Sequence, residues 1–175
     1  MNMNRLSAWV ATAGLMAWAG AAAAQTPGTA TFTVTTVSTG EEYAPRHVLA
    51  IWVTDASDRH VCTLLARAKN QIKWLSEWGK AAGEKGVDAV SGATLKGHQT
   101  HAVTWDGRGA DGAIAPDGLY RIRVEFTEKN GEGPVTPPRH IQFMKGAAPV
   151  TLKPKELPGF NGMQLDYAPA KPPPG

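Results

Sequence analysis

The chain has 175 residues, 42% of them apolar, with 13 Pro, 19 Gly and a formal net charge of +3. That length excludes a multi-domain enzyme, a transporter and a long coiled coil. The 18 basic and 15 acidic residues nearly balance. With no Lys/Arg cluster and no RNA-recognition aromatic motif, no nucleic acid partner is expected.

Residues 1–24 read as a targeting segment. Met1 to Arg5 is a short basic start, Leu6 to Ala19 is uncharged and largely apolar, and Ala22-x-Ala24 precedes Gln25 as a signal-peptidase site. The apolar run is short for a membrane span, so cleavage and no stable membrane insertion afterwards are expected. The remaining residues keep all 13 Pro and most of the Gly, a composition rich in turns. They are expected to form one domain over residues 25–167 and a Pro-rich, disordered tail over 168–175.

Within that domain the pattern is mostly strand. Thr31-Phe32-Thr33-Val34 alternates, with β-branched residues throughout. Arg46 to Val53 ends in the unbroken apolar run Val48–Val53, which suits a central strand covered on both faces. Asp55-Ala56-Ser57-Asp58 is a turn, and Arg59 to Ala66 returns as the partner of a hairpin. The lone cysteine, Cys62, lies in this second strand and has no internal disulfide partner. It reads as a small buried hydrophobe, with a reactive thiol beside His60 as the alternative.

One helix follows. Asn70 stands as its cap, Trp74, Leu75 and Trp78 share a face, and Gly79 ends it. After the polar loop Lys80–Val87, His101, Val103 and Trp105 fall on one face of a strand. The Gly/Asp-dense turn Asp106–Gly112 and Pro116-Asp117-Gly118 come next. Tyr120, Ile122, Val124 and Phe126 then alternate with Arg121, Arg123 and Glu125, the pattern of a half-buried strand. Ile141/Phe143, Val150/Leu152 and Met163/Leu165/Tyr167 mark three more. The expected fold is all-β: an immunoglobulin-like sandwich of seven to eight short strands with one short inserted helix.

Two resemblances sharpen this. Trp105-Asp106-Gly107, Asp111-Gly112, Pro116-Asp117-Gly118 and Tyr120 resemble the strand–turn–strand signature of the Ig-like module in flagellar hook-capping proteins. That likeness implies a fold and not a function. The order Tyr43-x-Pro45-x-His47-Val48, Ala50–Val53, Leu75-x-x-Trp78, Asp88–Thr94, Trp105, Ile141-x-Phe143 and Leu165-x-Tyr167 is similar to a family of predicted periplasmic proteins, domain of unknown function 2271. The resemblance implies a periplasmic location and the company of flavin transferases and membrane-bound reductases.

The segment Asp88-Ala89-Val90-Ser91-Gly92-Ala93-Thr94 resembles the flavinylation motif of extracytoplasmic FMN-binding domains. There a flavin transferase joins FMN to a threonine through a phosphodiester. The resemblance implies Thr94 as the acceptor, with Asp88, Ser91, Gly92 and Ala93 as recognition elements. Small neighbours leave room for a phosphate and an external active site, and Gly92 can turn backbone N–H groups toward an anion. The motif continues Leu95-Lys96-Gly97, without the further Ser/Thr residues often seen after the modified position. A plain turn leading into the next strand is the other reading.

Other candidates are weaker. His98 and His101, three apart, would point to opposite faces of a strand, which suits surface histidines better than a shared metal. Trp74 and Trp78 form either a stacking platform or the packed face of a helix. Asp106, Asp111 and Asp117 are turn caps or a Ca²⁺ loop without EF-hand spacing. Neither paired carboxylates nor a Gly-x-Ser-x-Gly context points to an enzyme. The sequence therefore leads to a periplasmic electron carrier with covalent FMN, served by a flavin transferase and a membrane-bound reductase. The alternative is a cofactor-free binding or scaffolding module.

Overall fold

A strand turns successive side chains to opposite faces, so the all-apolar run Val48–Val53 needs cover on both. The computed structural model describes residues 23–83, 91–92, 94–129 and 139–171, and it supplies two covers. Leu49, Ile51 and Val53 of β2 (Val48–Asp55) face the main core. Val48, Ala50 and Trp52 face a second, smaller cluster with Ala66, Ala68, Leu75 and Trp78.

The described residues form two sheets. One runs in the order β5 (Thr100–Trp105), β1 (Gly28–Thr36), β9 (Phe160–Pro169), β8 (Val150–Leu152). The other runs β4 (Ser91–Gly92), β3 (His60–Arg67), β2, β6 (Gly118–Thr127), β7 (Arg139–Lys145). The short β3–β4 pairing is parallel and the rest are antiparallel. The two sheets close on a core that includes Phe32, Val34, Ile51, Ile122, Phe126, Phe143 and Leu165. Each such side chain contributes about 1.5–3 kcal/mol when fully buried. Trp105 and Phe143 meet edge to face at 6.2 Å, and Phe143 and Tyr167 are tilted at 5.6 Å, so aromatic rings bridge the sheets at one end. This is an all-β sandwich with one short helix, as the alternation implies.

The helical layer differs from the expectation in detail. A 3-10 segment, Lys69–Trp74, ends at Leu75, and α1 (Ser76–Ala82) follows. Asn70 thus lies inside the 3-10 segment, and Gly79 lies within α1, which ends at Gly83 with φ of 69°. No side chain of the segment caps α1. Glu125 does so from β6, its carboxylate accepting the N–H of Glu77 at 3.2 Å and of Trp78 at 2.9 Å. A tertiary contact thereby satisfies donors that every helix start leaves open. It also explains why β6 is not half-exposed: Glu125 and Thr127 are buried beside Val124 and Phe126.

Ala168 and Pro169, expected in the tail, instead pair with Thr29 and Gly28 at the end of β9. Residues 172–175 of that tail, and residues 1–22 of the expected signal peptide, lie outside the described residues. At the same end of the sandwich, Lys145 is fully buried and gives its ammonium to the Thr26 carbonyl at 2.7 Å and to Asp117 Oδ1 at 2.9 Å. Asp117 also accepts from the Thr26 N–H and hydroxyl, at 2.8 and 2.6 Å. Gly107, with φ of 77°, lets the neighbouring turn pass close to the chain: a Cβ there would stand 2.8 Å from the Gly28 carbonyl oxygen. The Asp-rich turns are self-capped, Asp106 accepting from Arg108 N–H and Asp111 from Ala113 N–H, each at 3.0 Å.

Asp117→Asn leaves the Lys145 charge buried without its counter-ion and is expected to cost about 3 kcal/mol in urea denaturation. In the wild type, the Thr26 hydroxyl and then Lys145 hold the Asp117 pKa down at about 2. A depressed carboxyl pKa stabilises the fold fully above its unfolded value, so this contribution falls away as pH drops from about 4 to about 2. Separately, Glu125→Ala strips two helix N–H groups of their acceptor and is expected to cost about 2 kcal/mol. Glu125→Gln, which keeps one acceptor oxygen, is expected to cost less in the same urea denaturation.

Candidate functional site: a cleft beside Thr94

The chain reaches Thr94 through a short bridge. His47 N–H donates to Leu95 O at 3.0 Å, and Leu95 N–H returns to His47 O at 2.9 Å. This pins the segment after β4 against the start of β2. Thr94 therefore lines a cleft of about 300 Å³, together with Tyr43, Arg46, His47, Trp74 and Lys129 among others. Thr94 is half-buried, and its hydroxyl makes one long bond, 3.4 Å, to Gln71 Oε1. A bond that long holds the hydroxyl weakly.

The walls have two characters. Arg46 and Lys129 bring positive charge, and Lys129 is 3.5 Å from Glu41 Oε1. Tyr43 is 41% exposed, and the half-buried Trp74 carries the Lys73 ammonium 4.6 Å from its ring centre. The lining thus offers aromatic faces beside cationic groups, the combination that suits a planar ligand bearing a phosphate.

Two of the lining residues, His47 and Glu128, belong to a buried polar cluster. The His47 and His98 rings stack with centroids 4.4 Å apart and planes 2° from parallel, both edge-on to Phe126. Glu128, fully buried, accepts from His98 Nε2 at 2.6 Å, from the Ser38 hydroxyl, and from the Thr39 N–H and hydroxyl. Burial pushes its pKa up, but these bonds, led by His98, outweigh it and hold the carboxyl below its usual range. The Glu128 N–H donates to Glu41 Oε2 at 2.9 Å. One carboxylate thereby ties the 37–46 loop, the end of β6 and the segment after Thr94 together.

The motif residues are distributed unevenly. Thr94 lines the cleft. Ser91 and Gly92 form β4, paired in parallel with Ala66 and Arg67 of β3. Asp88 and Ala93 lie outside the described residues. The two tryptophans separate: Trp78 is core, its indole N–H donating to the Thr63 hydroxyl at 3.0 Å, whereas Trp74 reaches the cleft. Cys62 is half-buried against the main core.

Strand alternation did not find the histidine cluster. His98 precedes β5, so the opposite-face argument for His98 and His101 does not apply to it. Its stacking partner, His47, is 51 residues away on another element, and no local spacing signals such a pair. Among the described residues, no group of three or more His, Cys, Asp or Glu is arranged to hold a metal ion. Among the same residues, no helix is long and apolar enough to cross a membrane.

Comparison with known proteins adds a family. No curated protein and no solved structure matches the chain. The model of a family described as predicted periplasmic protein (DUF2271) matches residues 23–155. With that match covering most of its length, the chain belongs to this family of periplasmic proteins.

Proposed function

We propose that the protein is a periplasmic electron carrier with FMN attached through a phosphodiester to Thr94. The observation that carries this reading is the setting of the Thr94 hydroxyl. It is weakly bonded and lines a cleft whose lining also includes the cations Arg46 and Lys129 and the aromatic residues Tyr43 and Trp74. In the transfer, the Thr94 oxygen bonds to the phosphorus of an activated flavin nucleotide, the nucleotide part leaves, and the hydroxyl proton is lost. A flavin transferase performs that step, and Ser91-Gly92 next to Thr94 gives it a backbone with little side-chain bulk.

Once attached, FMN supplies the redox chemistry, and the chain's residues bind and orient it. Arg46 and Lys129 offset the phosphodiester charge. Trp74 and Tyr43 offer faces against which the ring packs, with one edge left open for electron exchange. Covalent attachment suits a compartment in which a free cofactor diffuses away. A membrane-bound reductase is the expected electron donor.

Coexpression with a flavin transferase followed by intact-mass measurement tests the reading. The expected result is a yellow protein heavier by one FMN less water, and no such increase in Thr94→Ala. Trp74→Leu is expected to retain the mass and to show brighter flavin fluorescence, because an indole packed on the ring quenches it. An unmodified wild-type mass, or FMN retained by Thr94→Ala, overturns the assignment. A colourless protein that still co-purifies with a partner then supports a cofactor-free binding module.

A further inference from the structure

The buried cluster that reaches the cleft through His47 and Glu128 holds more ionisable nitrogen than its hydrogen bonds use. His47 Nδ1–H donates to the Pro45 carbonyl at 3.1 Å, which leaves Nε2 as a bare acceptor. Among the described residues His47 Nε2, His98 Nδ1 and His101 Nε2 are all buried without a hydrogen-bond partner. Leaving a buried polar atom unpaired costs stability, and three in one cluster call for a role. His47 is also a wall of the Thr94 cleft.

We propose that the stacked pair His47–His98, anchored on Glu128, takes up a proton when electrons enter a flavin held on Thr94. This rests on the flavin reading above. The balance is two electrons from a reductant, dithionite in the test and a membrane reductase in the cell, and two protons from water. One proton is carried by the ring and one by His47 Nε2, dithionite and water leave as two bisulfite ions, and no other bond of the protein or the flavin forms or breaks.

The charges around the pair set when that proton is welcome. Glu128, 2.6 Å from His98 Nε2, balances one positive charge on the pair. A second would place two cations 4.4 Å apart between ring centres, beside Arg46 and Lys129 of the cleft. Burial, together with a charge on His98, lowers the His47 pKa against the opposing pull of the Pro45 carbonyl and Glu128. His101, behind the pair, is pushed down to about 4 by burial and then by His47, Arg67 and His98, so it stays neutral. Glu41 acts at one remove, through the Glu128 N–H. Negative charge arriving in the cleft removes the penalty on the second proton.

The test is histidine-resolved NMR titration of the flavinylated full chain, oxidised and after dithionite. His47 is expected to titrate higher by about one pH unit or more in the reduced protein. In Thr94→Ala, which carries no flavin, dithionite is expected to leave the titration unchanged. The pH dependence of the midpoint potential gives a second reading. Between about pH 7 and 8 it should be steeper in the wild type, between one and two protons per two electrons, and correspond to one in His47→Asn. An unmoved His47 titration in protein whose mass includes FMN overturns the proton role alone. A mass without FMN overturns the flavin assignment, and the proton role with it.

Discussion

Much of the architecture depends on β2 being apolar on both faces. One face is met by the second sheet, which makes the sandwich. The other requires an additional layer, and the stretch after β3 provides it as a 3-10 segment and a two-turn helix. That layer is too short to hold itself by helix propensity. It is held by Leu75 and Trp78 beneath it and by Glu125 at its start. Trp74 and Gln71 come to the cleft beside Thr94 because this layer must lie where β2 needs cover. The cleft is thus a by-product of burying a strand twice.

The end of the molecule that carries the cleft has a different organisation. Its elements arrive as loops and strand ends, and loops supply no regular ladder to satisfy their polar groups. Glu128 substitutes for one, accepting from three residues in two chain segments while its N–H is anchored to Glu41. A fully buried carboxylate is tolerated only with that many donors. Because the same donors include His98, the geometry of this buried cluster and its charge state are set together.

Legibility in the sequence divided along this line. β1, β6 and β9 were readable because their apolar residues recur with a period of two, and β2 because its apolar run is unbroken. The double burial of β2 was readable from the missing polar positions. The capping of α1 was not, because Glu125 lies 49 residues beyond Ser76 and reads locally as an outward residue of an alternating strand. The same holds for the site. Thr94 was marked by a short motif, and Trp74 by a helical face. Arg46, Lys129 and the His47–His98 stack carry no spacing signal, since only the sandwich brings the end of one loop against the end of a distant strand. Local patterns report what a residue's own element buries; they are silent on what another element delivers.

β4 remains the smallest element, two residues joined in parallel to the border of β3. Bordering strands display unpaired amide and carbonyl groups, which makes them templates for unwanted pairing with other chains. Ser91 and Gly92 shield part of that border, yet two pairs hold them there. At this place the chain thus covers part of an otherwise open border with two of its own residues, which leaves less of the β3 backbone to pair with another chain.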